Sequence, residues 1–215
     1  NRQMHYEPVD RCFNMEFGYW AENFKQWSIF TENGITNNEE ADVFFSFDRI
    51  ETYHPPVGMS PPFEERTVSE TDDKRIVMNA DGLLAEVPKD DHATIPHFIE
   101  ATIKTPDDWK REKEVRFRRD DPARKIDVDE LARRHPSDRD YPLAIWAGSL
   151  MGKIRDILTF EGIAYAIYDY PEMLEDMVET ACLLVEDALD QVLGRIDFDP
   201  AAGWEDIAYK QGPIV

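Results

Sequence analysis

Apolar and polar positions in the first 50 residues predict a strand, a helix and a second strand. Residues 10–20 are rich in aromatic side chains, which is typical of a buried strand. Residues 21–34 carry apolar side chains at helical spacing and end on a glycine, which predicts a helix with a glycine stop. Residues 37–48 begin with polar capping residues and continue into the apolar run 43–47. This order predicts an α/β protein with a parallel sheet.

The pattern changes between residues 50 and 104. A stretch with four prolines, residues 51–68, predicts an irregular loop. Short extended segments follow, and the sequence NADG at residues 79–82 separates two apolar runs, which is a hairpin signal. Residues 97–104 add a further extended segment. We therefore predict that residues 50–104 form an inserted antiparallel β meander outside the main sheet.

The second half of the chain is predicted to be mostly helical, with two further strands. Thr105 is the predicted N-cap of a helix, because a proline and two aspartates follow it. Residues 141–150 predict a buried strand that ends in small residues. The helix after it is expected in two pieces around Gly162. Residues 171–196 predict a long amphipathic helix, and residues 197–206 a last strand.

Four of the predicted apolar strands end in polar or small residues. In a (β/α) barrel the carboxyl ends of the strands face one mouth, where active sites form. Acidic groups gathered there can transfer protons, bind a cation or hold a basic substrate group. For Asp48 the alternative is a helix cap. The residues in question are Glu16 and Tyr19, then Asp48, then Gly148 and Ser149, and finally the pair Glu205 and Asp206.

Arg155 lies at the start of the helix that leaves the 141–150 strand. It either points into the mouth and binds a carboxylate, or it has a surface or helix-pairing role. The five histidines form no HxxxH or HxH pair, so the sequence gives no evident metal or cofactor site.

The net charge limits the classes of molecule that the protein can bind, and the cysteines indicate its cellular compartment. The chain has 45 acidic against 24 basic residues, a net charge of −21, which repels nucleic-acid phosphates and anionic membrane surfaces. The apolar runs are shorter than the roughly 18 residues that span a bilayer. Cys12 and Cys182 are far apart, lie within apolar patterns and lack a CxxC partner, which favours buried, reduced thiols. We expect a cytoplasmic protein that binds neither nucleic acid nor membrane.

The order of several segments resembles the uroporphyrinogen decarboxylase superfamily over nearly the whole chain. These segments are MEFGYWAE, FSFD, IPHFIEATIKTPDDW, GSLMGKIRDILTFEGIAYAIYDYPEML and WEDIAYKQGPIV. They look closest to the divergent branch labelled only as decarboxylase-domain proteins. The resemblance implies a (β/α)8 TIM barrel, incomplete in this chain, with residues 1–215 as the N-terminal portion of one barrel domain and the meander inserted within it.

The resemblance also implies roles for individual residues. Asp48 matches the family's active-site aspartate, and Glu205 with Asp206 replaces an Asp-Ser pair, so these three are the expected catalytic residues. Substrate binding is expected from four others: Glu16, Tyr19, Gly148 and Arg155. Decarboxylases hold substrate carboxylates with arginines after the first strand, and the matching residues 16–23 contain none.

The superfamily also contains methyltransferases that move a methyl group between a corrinoid and a thiol. We expect an enzyme of this methyltransferase-like branch, acting on a small molecule. The alternatives are a uroporphyrinogen decarboxylase or a non-catalytic binding barrel. Zinc, a corrinoid and a corrinoid protein are expected only of the full-length protein, because the relatives' His and Cys ligands come later in the chain. A homodimer is a further expected assembly.

Overall fold

The computed structural model describes residues 2–89, 96–205, 208–210 and 212–213. The α-helices in these ranges are α1 (Ala21–Gln26), α2 (Ser28–Thr31), α3 (Asn38–Phe45), α4 (Pro106–Arg116), α5 (Val128–Arg134), α6 (Met151–Asp169) and α7 (Pro171–Val192). Two short 3-10 helices span Arg2–His5 and Pro122–Arg124. The strands are β1 (Glu51–Tyr53), β2 (Arg66–Glu70), β3 (Lys74–Met78), β4 (Leu83–Pro88), β5 (His97–Ala101), β6 (Leu143–Trp146), β7 (Ala201–Ala202), β8 (Ala208–Tyr209) and β9 (Gly212–Pro213). The chain is therefore a mixed α/β protein.

Three strands form a parallel sheet in the order β1, β6, β7. Thr52 of β1 pairs with Ala144 of β6, and Ile145 of β6 pairs with Ala201 of β7. Leu143 and Ile145 are buried in one cluster with residues of α5 and α7, so these helices cover one face of the sheet. The described strands do not close into a barrel.

A second, antiparallel sheet runs in the order β2, β3, β4, β5. The hairpin predicted at residues 79–82 is confirmed, because β3 pairs with β4 across it. Gly82 has a φ of +81°, the left-handed conformation that such a turn requires. The predicted meander begins too early, however. Glu51–Tyr53 belongs to the parallel sheet, and the antiparallel strands extend from Arg66 to Ala101.

Both edge strands of the antiparallel sheet contain an irregularity. In β2 the pairing passes from Thr67 to Ser69 and leaves out Val68. In β5 it passes from Phe98 to Glu100 and leaves out Ile99. Val68 and Ile99 are 53% and 46% exposed. Each is thus the extra residue of a bulge that disturbs the hydrogen-bonding ladder at the edge.

The N-terminal strands predicted from the sequence are absent. Residues 10–20 contain no strand, and most of them are exposed, including Cys12, whose predicted burial is therefore wrong. The run 43–47 lies mainly in helix α3, which starts because the Asn37 side chain accepts a hydrogen bond from the Glu40 N–H at 3.0 Å. Helix α3 ends at Phe45 and is followed by the cap residue Ser46, whose φ is +52°. The aromatic side chains of this region bury one another instead of a strand face, in a cluster built on Phe30.

Two helix predictions are confirmed in part. The helix predicted over residues 21–34 is divided into α1 and α2 by the extended residue Trp27. Helix α6 has its break at Thr159 rather than Gly162. Thr159 has φ 68° and ψ 167°, and its hydroxyl accepts a hydrogen bond from the Gly162 N–H at 3.2 Å. It thereby acts as the N-cap of the second half of the helix.

The start of α4 is as predicted. Thr105 and Asp108 form a capping box, in which each side chain accepts a hydrogen bond from the other's backbone. Helix α7 also forms, although it ends at Val192 rather than Ile196. Its buried face includes Leu174, Met177 and Leu184, which pack against α4 and α6 in the largest apolar cluster of the described residues.

Candidate active site

The residues that follow β6 and β7 meet at one end of the parallel sheet. We define this carboxyl edge as residues 147–150 and 203–205. The Ala147 N–H donates to the Ala202 carbonyl at 2.8 Å, which continues the pairing to the edge. Gly148 has a φ of +91°, and a Cβ at Gly203 would lie 3.2 Å from the Gly148 carbonyl oxygen. Two glycines therefore let the two backbones approach closely.

Glu205 joins this edge to the start of α6. One of its carboxylate oxygens accepts the Leu150 N–H, and the other accepts the Gly152 N–H at 3.0 Å. The first N–H groups of a helix lack partners within the helix, and the N-terminus carries a partial positive charge. The Glu205 carboxylate accepts hydrogen bonds from two of these N–H groups, and its negative charge is favoured beside the positive end of the helix. Glu205 is thus brought to the expected edge, beside Gly148, whereas Asp206 lies outside the described residues.

Two aromatic pairs lie at the ends of the parallel strands. The rings of His54, directly after β1, and Trp146, the last residue of β6, are 5.6 Å apart at an angle of 31°. The Trp204 and Phe17 rings are 5.8 Å apart at 66°. Trp204 is 51% and Phe17 82% exposed. Sequence reasoning missed all four residues, although an aromatic residue at or just after a strand end was a signal that could have identified three of them.

Asp48 does not follow a strand, because the predicted strand before it is helix α3. It lies three residues before β1 and accepts hydrogen bonds from both terminal nitrogens of Arg11, at 2.7 and 2.5 Å. It also accepts the Asn14 N–H at 2.8 Å. The bond to Arg11 and then the bond to Asn14 lower the pKa of Asp48 from 3.8 to about 2. Asp48 is therefore an ionised anchor for the N-terminal segment.

Glu16 and Tyr19 lie near each other in sequence but in different surroundings. Glu16 is exposed, and its carboxylate accepts the N–H of its neighbour Phe17 at 2.8 Å. Phe17 contacts Trp204, so Glu16 lies next to the carboxyl edge. Tyr19 packs its ring against Phe30, with the ring centroids 4.9 Å apart. Partial burial raises the pKa of Tyr19, and its position is that of a packing residue in the aromatic cluster.

Positive charges near the carboxyl edge are held by carboxylates. Lys153, in the first turn of α6, lies 2.5 Å from Asp81 of the β3–β4 turn. Arg155 follows on α6 and is about one-third exposed, with one terminal nitrogen 3.4 Å from the Asp156 carboxylate. Arg11 is paired with Asp48 before the start of β1, not at this edge. Aromatic rings, the Glu205 carboxylate and the paired cations Lys153 and Arg155 thus lie at or beside the edge.

The resemblance implies zinc ligands only in a later part of the full-length protein. Throughout residues 2–89, 96–205, 208–210 and 212–213, no three side chains of His, Cys, Asp or Glu are grouped so that they could hold a metal ion. In the same ranges, the helices are too short or too polar to cross a membrane.

Comparisons of the chain with models of protein families, with curated proteins and with solved structures found no match. The resemblance to the uroporphyrinogen decarboxylase superfamily therefore stays a prediction from the sequence.

Proposed function

We propose that the chain belongs to a barrel enzyme of the uroporphyrinogen decarboxylase type, of the methyltransferase-like branch, acting on a small molecule at the carboxyl edge. In this proposal the parallel strands β1, β6 and β7 are part of a (β/α)8 barrel, and the carboxyl ends of its strands form the active-site mouth. The protein is cytoplasmic, and a corrinoid protein is the proposed methyl donor.

We choose the methyltransferase-like branch because the cations near the edge are paired with carboxylates. A porphyrinogen carries several carboxylates, and binding them requires positive groups that are available to the substrate. Lys153 is paired with Asp81, and one terminal nitrogen of Arg155 lies 3.4 Å from Asp156. The net charge of −21 also repels a substrate that carries several negative charges. Transfer of an uncharged methyl group does not make this demand.

The residues of the edge and the aromatic residues beside it have roles that follow from their contacts. Glu205 fixes the start of α6 against the end of β7 through two N–H groups. The aromatic pairs His54–Trp146 and Phe17–Trp204 present apolar surface on which a substrate can bind with little desolvation cost. Since any zinc ligands are expected later in the full-length protein, no step of the reaction is assigned to a metal.

The test is a spectroscopic assay of methyl transfer. The full-length protein is mixed with methylcobalamin and a thiol, with and without added zinc, and loss of the methylcobalamin absorbance is followed. We expect turnover that falls in Glu205→Gln and stays unchanged in Glu179→Gln, on the exposed side of α7. Absence of methyl transfer under every condition would contradict the proposal, and release of CO2 from uroporphyrinogen would favour the decarboxylase instead.

A further inference from the structure

An ion pair links the antiparallel sheet to helix α6. The Asp81 carboxylate lies 2.5 Å from the Lys153 ammonium, and each side chain is 32% exposed. The two residues are 72 positions apart in sequence. Asp81 lies in the turn between β3 and β4, while Lys153 lies in the first turn of α6. The pair therefore joins two elements that are otherwise separated along the chain.

The turn that carries Asp81 is fixed from several sides. The Asn79 side-chain oxygen accepts the N–H groups of Asp81 at 3.1 Å and Leu83 at 2.8 Å. The Gly82 carbonyl accepts both the N–H and the hydroxyl of Thr102, at 2.9 and 2.6 Å. Phe63 packs against Gly82 closely enough that any Cβ there would collide with its ring. Asp81 is thus presented to α6 from a preorganised support.

Lys153 is the residue after Gly152, whose N–H donates to Glu205. The first turn of α6 is therefore held on one side by Glu205, at the carboxyl edge, and on another by Asp81, from the antiparallel sheet. A shift of this turn would change the distance between the Gly152 N–H and the Glu205 carboxylate directly.

We propose that Asp81 and Lys153 are positioning residues through which the antiparallel sheet fixes the start of α6, and with it Glu205, at the carboxyl edge. The inference rests on the proposed function in taking this edge as the site. It gives the β2–β5 sheet a role in the geometry of the site, although the sheet contributes no residue to the edge.

If the Asp81–Lys153 pair were only a surface contact, a different result would be expected. Exposed pairs contribute little to global stability and affect only their own surroundings. The chain offers a matched control in Lys74 and Glu86, which lie 2.6 Å apart within the same sheet and are 49% and 31% exposed. This pair joins β3 to β4 and does not involve α6.

The experiment follows hydrogen exchange of the Leu150 and Gly152 amides by NMR, without substrate. We expect Asp81→Asn and Lys153→Gln each to speed exchange of these amides by up to about five-fold, as for a local opening, while the melting temperature changes little. Glu86→Gln is expected to leave them unchanged. The double variant with Asp81→Lys and Lys153→Asp is expected to restore slow exchange, which loss of packing alone would not explain.

Unchanged exchange in both single variants, or an equal increase in Glu86→Gln, would overturn the inference. Because the readout needs no turnover, failure of the methyl-transfer assay would count against the proposed function and not against this positioning role. If methyl transfer is observed, Asp81→Asn is expected to lower kcat more than it raises KM, and Asp81→Glu to recover part of the loss.

Discussion

The Arg11 guanidinium holds the Asp48 carboxylate through two hydrogen bonds, of 2.7 and 2.5 Å. Two further hydrogen bonds join Asn14 to Asp48. The Asn14 N–H donates to the Asp48 carboxylate at 2.8 Å, and the Asn14 carbonyl accepts the Asp48 N–H at 2.7 Å. Four hydrogen bonds thus tie an exposed N-terminal segment without regular secondary structure to the loop between α3 and β1. This segment carries Phe17, which reaches Trp204 at the carboxyl edge.

Removing the charge at Asp48 is expected to release this segment. In Asp48→Asn the pairing with Arg11 loses its charge, so trypsin should cleave after Arg11 about five-fold faster, as measured by mass spectrometry. The control is Asp120→Asn. Asp120 also makes two hydrogen bonds to one arginine, Arg118, but within a single loop. Equal cleavage rates in wild type and Asp48→Asn would show that the segment is held by other contacts.

The same contact predicts a pH dependence of stability. The folded state lowers the pKa of Asp48 from 3.8 to about 2, mainly through the bond to Arg11. A lowered pKa means that the contribution is fully present above about pH 4 and is lost as the pH falls toward 2. We expect the difference in unfolding free energy between wild type and Asp48→Asn, from urea titrations, to shrink over this window. A difference that stays constant from pH 5 to pH 2 would contradict the assignment.

Three glycine substitutions separate backbone strain from steric conflict. Gly82 has a φ of +81°, and a Cβ there would lie 2.6 Å from a carbon of the Phe63 ring. Gly34 has a φ of +67° with open space around it, and Gly58 has open space and no positive φ. We expect Gly82→Ala to cost about 3 kcal/mol, Gly34→Ala about 1 kcal/mol and Gly58→Ala less than about 0.5 kcal/mol. Urea denaturation checks this order, and a Gly34→Ala cost as large as that of Gly82→Ala would contradict it.

Arg124 is expected to be a major structural residue. It is 7% exposed, and its guanidinium donates to the carbonyls of Arg118 at 2.7 Å, Pro56 at 2.9 Å and Arg116 at 3.0 Å. Burial lowers the pKa of Arg124. In Arg124→Met these carbonyls lose their donor, so we expect a loss of about 3 kcal/mol in the free energy of unfolding.

The control for Arg124 is Arg133→Met. Arg133 is 72% exposed and pairs with Glu130 on the surface of α5, so its substitution should cost less than about 0.5 kcal/mol. Chemical denaturation of both variants gives the comparison. Similar losses in the two would mean that the three carbonyl contacts of Arg124 contribute no more than a surface ion pair.

Elements with specific local chemistry were predictable from the sequence. The Thr105 capping box and the turn at residues 79–82 depend on side-chain and backbone preferences of a few adjacent residues. Helix α7 shows one apolar stripe over 22 residues, long enough for periodicity to identify it. Such signals need no knowledge of the rest of the fold.

The run 43–47 could not be assigned in this way. A short apolar run fits a buried strand and a helix end equally well, because it is shorter than two helical turns. The deciding contacts are the Asn37 cap and the ring contact between Phe45 and Phe30. The latter depends on tertiary packing. The misassignment of Asp48 follows directly, because its predicted position assumed a strand before it.

The candidate site was predictable in part. The position of Glu205 after a strand was expected, and the strand β7 is present. Its two hydrogen bonds to residues more than 50 positions away depend on how α6 leaves β6, which the sequence does not show. The pairing of Lys153 with Asp81 could not be predicted either, because it joins the antiparallel sheet to helix α6, 72 positions away in sequence.

The bulges at Val68 and Ile99 affect how molecules of the protein can associate at high concentration. Growth of a fibril from a folded protein starts when a strand of one molecule adds to a regular open edge of another. Both outer strands of the β2–β5 sheet interrupt their ladder at a β-branched residue, so an incoming strand would find its register broken at either side. This sheet therefore resists templated growth from molecule to molecule, even when the protein is concentrated.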